Sequence, residues 1–360
     1  MNLLPTPKER LDKLIAKSRA HLYKPIQIAE ILFRDRVHRD IDLMQLDTYR
    51  RPSTRWRNAV SPRLVGKVPV LNSRYEDQLF DSAVLPPEAI AELGEVNRAG
   101  NGLIEVYIYA LLKNRFGKLA EIKSILNQTP PKNFNLASFL ALFEDTRLRR
   151  SIDKVYEIIV YALFETLTRH LNATVTLAID ENQIELLKDF KVFANLVLGV
   201  SPEKLAVVQP ARLYRVGTTN AADAGLDMWA NFGPAIQVKH LTLTPEDVDD
   251  ILEGMTADQV VVVCKSMEKR LIANLLGQIG LSNRIRGFIT EVDLIAWYDR
   301  CCTEKYAEVL GKTLLYELGK AFASEFPLSE RSEIDAFFGE RGYSETALTE
   351  VWRIDQALSS

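Results

Sequence analysis

The sequence predicts an α/β protein, or in the wider sense an α+β one, with a mixed sheet core flanked by helices and an additional helical region at its N-terminus. From Leu205 onward, strand-like segments alternate with helix-like ones, which is the order of a partly parallel sheet covered by helices. Before Leu205, apolar residues recur mostly at helical spacing. The length of 360 residues is enough for about two domains.

The domain division follows local composition. We expect a mainly helical N-terminal region over residues 1–135, a core over 136–330 and a helical C-terminal tail over 331–360. The segment 127–135, rich in proline and asparagine, predicts a linker after the first region.

Start signals and apolar spacing predict the helices of the N-terminal region. Thr6, Pro7 and Glu9 place a hydroxyl cap, a first-turn proline and an acid where a helix begins. Further helices are predicted at 26–36, 102–115 and 151–171.

The second half of the chain is predicted to alternate between strands and helices. Strands are expected at 173–179, within 205–216, and at 235–243, 259–264 and 285–289. Helices are expected at 182–200, from Thr244, at 267–279 and from Thr290, and the tail from Thr303 on is helical.

The cysteine content predicts a reducing compartment. The three cysteines, Cys264, Cys301 and Cys302, have no CxxC spacing, which argues against a disulfide framework or a zinc site. The N-terminus lacks the apolar core of a signal peptide, and no apolar run approaches the roughly 18 residues of a membrane span. We expect a soluble, cytoplasmic protein with no membrane partner.

Charge is distributed unevenly along the chain. The formal net charge is −3, so there is no overall basic excess. Residues 50–67, however, hold six bases, no acid and two prolines, whereas residues 291–360 hold 14 acids and 7 bases. We interpret 50–67 as a basic loop around Trp56 that suits a phosphate backbone. The alternative is a solvated loop whose arginines pair with the acidic C-terminal part.

The most informative segment is 225–240. Asn231-Phe232-Gly233-Pro234 is typical of a turn, so a hairpin is expected in which Asp227 comes opposite the second strand. In that strand Gln237 and Lys239 share one face, about 7 Å apart. A buried lysine needs a partner, and Asp227 is the natural one.

Oxygen ligands in this arrangement suit a hard cation such as Mg²⁺. The Asp227 carboxylate would hold the ion, and the Gln237 side-chain carbonyl and the Val238 backbone carbonyl would complete part of the shell. Lys239 would orient the attacking water and stabilise charge on a phosphate. The alternatives are that Asp227 is a turn residue and that Lys239 is a solvated lysine at a strand edge.

Asp227 followed by Gln237-Val238-Lys239 resembles the PD-(D/E)XK nuclease motif, and the block 215–243 is similar to type II restriction endonucleases, those of the HaeII type included. The resemblance implies a restriction-endonuclease-like core. Two departures stand out, because Leu226 replaces the proline of the motif and Gln237 replaces its second acid. The missing charge suggests a further carboxylate from a preceding helix, for which Glu157 is the first choice and Glu105 the second.

Basic residues are candidates for contacts with DNA phosphates or guanines. The DNA-binding set consists of Arg50, Arg51, Arg55, Arg57, Arg212, Arg215, Arg284 and Arg286. For several of them, the competing interpretation is that they are surface charges that bind no ligand.

The resemblance implies a type II restriction endonuclease that makes Mg²⁺-dependent, sequence-specific double-strand cuts. It also implies a homodimer on double-stranded DNA and a cognate DNA methyltransferase in the host. A repair or recombination nuclease of the same fold, and a DNA-binding protein without catalysis, are the alternatives.

Overall fold

In a computed structural model of the chain, the structure describes residues 5–69, 78–216, 227–239, 259–265, 270, 273–274, 285–329 and 331–354. The described residues form two compact units. One contains those of 1–156 and 319–360, and the other contains those of 157–216 and 223–318. The domain boundaries expected from composition stay a prediction.

Helices dominate the first unit and also flank the sheet in the second. The helices are α1 (Pro7–Lys17), α2 (Tyr23–Val37), α3 (Pro52–Val65), α4 (Pro87–Ala99), α5 (Leu103–Gln128), α6 (Leu136–Ala141), α7 (Ile152–His170), α8 (Ile184–Asp189), α9 (Lys191–Phe193), α10 (Glu291–Cys302), α11 (Lys312–Glu325) and α12 (Arg331–Glu340). One π-helical turn, Ala194–Leu198, follows α9, and another, Ala307–Gly311, precedes α11.

Helix α1 begins where its capping residues predict. The Thr6 hydroxyl accepts the Glu9 N–H at 3.2 Å, and the Glu9 carboxylate accepts the Thr6 N–H at 2.8 Å. This reciprocal pair satisfies two backbone donors that a helix start leaves free. The same arrangement joins Thr290 and Asp293 at the start of α10.

The expectation of a basic loop over 50–67 is wrong, because most of this segment forms α3. Pro52 lies in the first turn of the helix, where a proline costs no hydrogen bond. Arg57 lies on the buried side, is 0% exposed and donates to the Gln27 side-chain oxygen at 2.9 Å. Arg63 donates to the Glu340 carboxylate at 2.7 Å. For Arg63, the alternative of pairing with the acidic C-terminal part is therefore confirmed.

Glu105 belongs to a buried polar network in the first unit. Its carboxylate is 0% exposed and accepts hydrogen bonds from Arg36 at 2.8 and 2.9 Å, from Asn97 at 2.6 Å and from Tyr343 at 2.6 Å. A buried carboxylate is tolerated when its oxygens are paired in this way. Glu105 thus has a structural role within this unit.

The second unit holds two sheets. Strands β1 (Thr174–Ala178) and β2 (Ala206–Pro210) form an antiparallel ribbon. The larger sheet has the order β3 (Leu213–Arg215), β4 (Met228–Ala230), β5 (Ala235–Lys239), β6 (Val260–Cys264) and β7 (Ile285–Thr290). The β3–β4 and β4–β5 pairs are antiparallel, whereas the β5–β6 and β6–β7 pairs are parallel. The predicted mixed sheet flanked by helices is confirmed.

A tight turn joins β4 to β5, as its sequence predicts. Gly233 has φ +116°, a value that favours glycine, and its N–H donates to the Ala230 carbonyl at 3.1 Å. The Asn231 side chain accepts the Arg212 N–H at 2.9 Å and donates to the Pro210 carbonyl at 3.0 Å. The turn and the start of β3 are therefore held together.

The helix expected at 182–200 is interrupted in the structure. The backbone of Phe190 leaves the helical region at φ −107° and ψ 31°, so α8 ends and α9 begins around it. The helix expected from Thr244 and most of the one at 267–279 lie outside the described residues. Within the ranges that the structure describes, no helix is long and apolar enough to cross a bilayer.

Burial of His21 gives the first unit a predicted pH dependence. Its ring stacks between Tyr23 at 5.4 Å and Phe326 at 6.2 Å. Burial, together with the charges of Lys67 and Arg19, lowers the pKa of His21 to about 3.

The free energy of unfolding is therefore expected to fall as the pH decreases below 6.5, the usual pKa of the unfolded chain. Below that pH the unfolded chain binds a proton that the folded protein excludes, so the loss reaches up to about 2 kcal/mol between pH 7 and pH 5. Urea unfolding of the wild type and of His21→Leu checks this. The variant should lose that part of the dependence, whereas His38→Leu, at an exposed ring, should keep it. An equal pH dependence in His21→Leu and the wild type would contradict the assignment.

Candidate functional site

The β4–β5 hairpin brings Asp227 beside Gln237. Met228 pairs with Ile236 in the antiparallel register, so Asp227, one residue earlier, lies opposite Gln237. The Asp227 N–H donates to the Ile236 carbonyl at 3.3 Å. Directly opposite residues of an antiparallel pair have Cβ atoms about 5 Å apart on the same face. The expected approach of Asp227 to the second strand is thus present in the fold.

A hydrogen bond holds the Asp227 carboxylate at the end of β5. One carboxylate oxygen accepts the Val238 N–H at 2.8 Å. The N–H and C=O of a strand residue point to the same side, so the Val238 carbonyl is directed toward the side on which Asp227 lies. The carboxylate and this carbonyl therefore face one region at the strand end.

Strand pairing places Gln237 on the face of Asp227. Gln237 is 3% exposed, and position 239 follows two residues later in β5, where its backbone is paired with Cys264. Met228 and Ile236, which alternate with this set, are buried on the other face. The Lys239 side chain lies outside the described part of the structure.

The donor set of this site fits a hard divalent cation. A carboxylate, an amide oxygen and a backbone carbonyl are the oxygen ligands that Mg²⁺ and Ca²⁺ accept. Among the described residues, no group of three or more His, Cys, Asp and Glu side chains is placed to hold a metal ion. The proposed donors are all oxygens, unlike the Cys and His ligands typical of a zinc centre, and Asp227 is the one carboxylate among them.

Glu157 approaches the neighbouring strand end. In α7, its carboxylate forms an ion pair with the Arg215 guanidinium at 3.7 Å. In the β3–β4 register, Arg215 lies opposite Met228. The Val216 N–H donates to the Asp227 carbonyl at 3.0 Å. By register, however, Arg215 lies on the face of Met228, opposite to the face of Asp227. Glu157 thus reaches the strand end next to Asp227 from the other side of the sheet.

Two aromatic rings lie beside the site, and the sequence alone does not predict their pairing. Tyr214 and Trp229 stack with ring centroids 4.4 Å apart, and both rings are exposed. Trp229 follows Asp227 by two residues, so both lie on one face of β4. That spacing is visible in the sequence, but the stacking partner depends on the β3–β4 register.

The candidate DNA-binding arginines differ in exposure. Arg51, Arg55, Arg212 and Arg286 are exposed, Arg50 and Arg215 are half-buried, and Arg57 is buried. Arg284 lies outside the described residues. The prediction that Arg57 contacts DNA is wrong for this conformation, because its guanidinium is enclosed and bonded to Gln27 and Asn58.

Comparisons with known proteins agree over almost the whole chain. The model of the HaeII restriction endonuclease family matches residues 7–343. The chain is 44% identical over 345 residues to the type II restriction enzyme HaeII of Haemophilus aegyptius, covering 96% of this chain and 98% of that protein. It is 43% identical over 341 residues to the type II restriction enzyme NgoBI of Neisseria gonorrhoeae, covering 94% and 97%. No solved structure matches the chain. The family match and both relatives, at these identities and coverages, establish that the chain belongs to the HaeII restriction endonuclease family.

Proposed function

We propose that this restriction endonuclease makes Mg²⁺-dependent double-strand cuts at a specific DNA sequence, using a site formed by Asp227, Gln237, Val238 and Lys239. Membership of the HaeII family makes the chain a site-specific deoxyribonuclease. The observation that carries the site assignment is the hydrogen bond from the Val238 N–H to the Asp227 carboxylate. It holds the one acid of the motif against the strand that carries Gln237.

Each group of the site has a distinct role in the proposed chemistry. Asp227, the Gln237 amide oxygen and the Val238 carbonyl would hold Mg²⁺, which when bound polarises the phosphoryl oxygen and acidifies a water. Lys239 would orient the attacking water and stabilise the charge that develops on the phosphate. Because Gln237 is neutral, the site has one negative charge fewer than a pair of acids would supply.

Glu157 is the carboxylate that we propose to complete the metal site. Its carboxylate contacts Arg215. In the strand register Arg215 lies opposite Met228, the residue that directly follows Asp227. Glu157 would have to leave Arg215 and reach past the strand end to contact the metal, because by register Arg215 and Asp227 lie on opposite faces of the sheet. Freed from Glu157, Arg215 would be available to a DNA phosphate.

We propose double-stranded DNA as the substrate and a homodimer as the active form, which matches the two-fold symmetry of a palindromic site. The exposed bases Arg51, Arg55, Arg212 and Arg286 would contact DNA, together with Arg50 and with Arg284, which lies outside the described residues. A cytoplasmic location and a cognate methyltransferase in the host complete the proposal.

A digest of a fully sequenced plasmid with Mg²⁺ tests the function. Discrete fragments whose ends all map to one sequence are expected. Ends that map to DNA structure instead of sequence would favour a repair or recombination nuclease. Intact DNA under conditions in which the protein binds it would favour a binding protein without catalysis.

Asp227→Asn is expected to lower the cleavage rate by roughly 100- to 1,000-fold or more while DNA binding persists. The asparagine oxygen can still accept the Val238 N–H, so the hairpin keeps its geometry while the ion loses its charged ligand. Single-turnover cleavage and a DNA-binding titration in Ca²⁺ measure the two effects.

Asp180→Asn is the matched control for this substitution. Asp180 also accepts a backbone N–H, from Asn182 at 2.9 Å, but lies outside the sheet. The Asp180→Asn variant should cleave DNA at the wild-type rate. Full activity in Asp227→Asn would remove Asp227 from the proposed site.

Gln237 is predicted to require an oxygen rather than a particular charge. Gln237→Glu should retain cleavage or change the preference between Mg²⁺ and Mn²⁺, because a carboxylate supplies the same type of ligand. Gln237→Leu keeps a buried side chain of similar size but removes the oxygen, and should reduce cleavage strongly. Cleavage rates across a metal titration measure both. Wild-type turnover in the leucine variant would place this side chain away from the cation.

Arg51 and Arg55 are predicted to contact phosphates. Replacing both with Ala should weaken DNA binding and reduce the slope of log K against log salt by roughly 1 for each arginine that binds a phosphate. Arg63→Ala in the same helix is the control, since Arg63 is paired with Glu340. An unchanged salt slope in the double variant would show that this end of α3 does not contact DNA.

A further inference from the structure

Large apolar side chains cover the outer face of the segment 184–198. Leu186, Phe190, Phe193 and Val197 follow one another at helical spacing, and Val192 and Leu196 form a second row beside them. All six are between 53% and 80% exposed. We call this set the outer apolar face.

The inner side of the same segment is already packed. Leu187 and Ala194 are buried together with Val200. Leu198 of the same segment packs against them, as do Ile179, Leu205 and Val207 from the β1–β2 ribbon and its flanks. The segment therefore has a core of its own. A helical segment that is apolar on both sides is expected to have a second partner.

The area of the outer apolar face is sufficient for a stable interface. Six side chains of this size and exposure present on the order of 600 Å² of apolar surface. This area is at the upper end of the range found for the largest apolar patch on a typical monomer. Two such faces packed together would bury about 1,200 Å², which is the size of a small stable protein–protein interface. A contact of this size excludes water from all six side chains.

The charge around the face disfavours DNA as its partner. Residues 174–210, which include the ribbon, hold five acids and three bases, a net charge of −2. A surface that binds a phosphate backbone carries positive charge. The rim of the outer apolar face instead mixes both signs, with Glu185 and Asp189 beside Lys188 and Lys191.

A second copy of the chain fits this surface. A two-fold interface places one patch against itself, so the patch must be self-complementary. An apolar centre meets that condition, and a rim of both signs lets acids of one copy face bases of the other. The described residues of one chain offer one candidate cleavage site, whereas cutting both strands of a duplex requires two.

We propose that residues 184–198 form the dimer interface of this enzyme, with the outer apolar face of one copy packed against that of a second copy. The choice of a second copy as the partner rests on the proposed double-strand cleavage. The choice of this surface as the interface rests on its burial and charge alone.

The test is the mass of the full-length protein in solution, measured by sedimentation equilibrium across a concentration series. The wild type should have twice the chain mass of 40.8 kDa. Phe193→Glu combined with Leu196→Glu should weaken dimerisation by at least about 100-fold, because charge is placed in a desolvated centre. Val292→Glu, at a residue of similar exposure on α10, should remain dimeric.

Cross-linking covers the case in which the glutamate variant does not fold. The native cysteines are buried, so Leu196→Cys supplies an accessible thiol for a bis-maleimide. A covalent dimer is expected for Leu196→Cys and none for Val292→Cys.

The proposal fails if the wild type is monomeric with and without DNA. It also fails if the glutamate variant, folded by circular dichroism, keeps the wild-type mass. A variant that keeps its mass but loses DNA binding would assign the face to DNA instead. Asp227→Asn separates this proposal from the site assignment, since that variant should be inactive and still dimeric.

Discussion

The hydrogen bond from the Val238 N–H to the Asp227 carboxylate is the interaction on which the candidate site depends. It lies just beyond the last β4–β5 backbone pair, so it continues the hairpin with a side chain where the ladder ends. A carboxylate held in this way needs no reorganisation before it binds a cation, and preorganisation of this kind is a large part of catalytic electrostatics. A shift of the hairpin by one residue would turn Asp227 to the opposite face.

Burial accounts for the neutral residue in the motif. Gln237 is 3% exposed in a strand paired on both sides. An amide costs less to bury than an unpaired carboxylate, so the strand remains stable when no cation is present. In the proposed metal site the negative charge would rest on Asp227, and Glu157 would add to it only by leaving Arg215.

The first unit illustrates how one helix gives arginines different roles. Arg55 and Arg57 are two residues apart in α3, and one is exposed while the other is bonded to Gln27 in the interior. Arg63, farther along, is paired with Glu340. A local charge of one sign therefore does not by itself define a binding surface, because a helix distributes neighbouring residues around its axis.

Local chemistry determined a large part of this protein from sequence alone. The caps at Thr6 and Thr290, the turn at 231–234 and the alternation in β5 depend on residues within a few positions of one another, and the structure has each of them. The resemblance carried by Asp227 and Gln237-Val238-Lys239 likewise led to the right family.

Tertiary structure alone decided which faces are covered and which segments meet. It buried Arg57, which lies in a helix where a loop was expected. It also brought Glu157 to Arg215 and stacked Tyr214 on Trp229. It also left the apolar side chains of 184–198 outward. The physical reason is that periodicity defines the faces of an element, whereas the burial of a face depends on partners that lie far away along the chain.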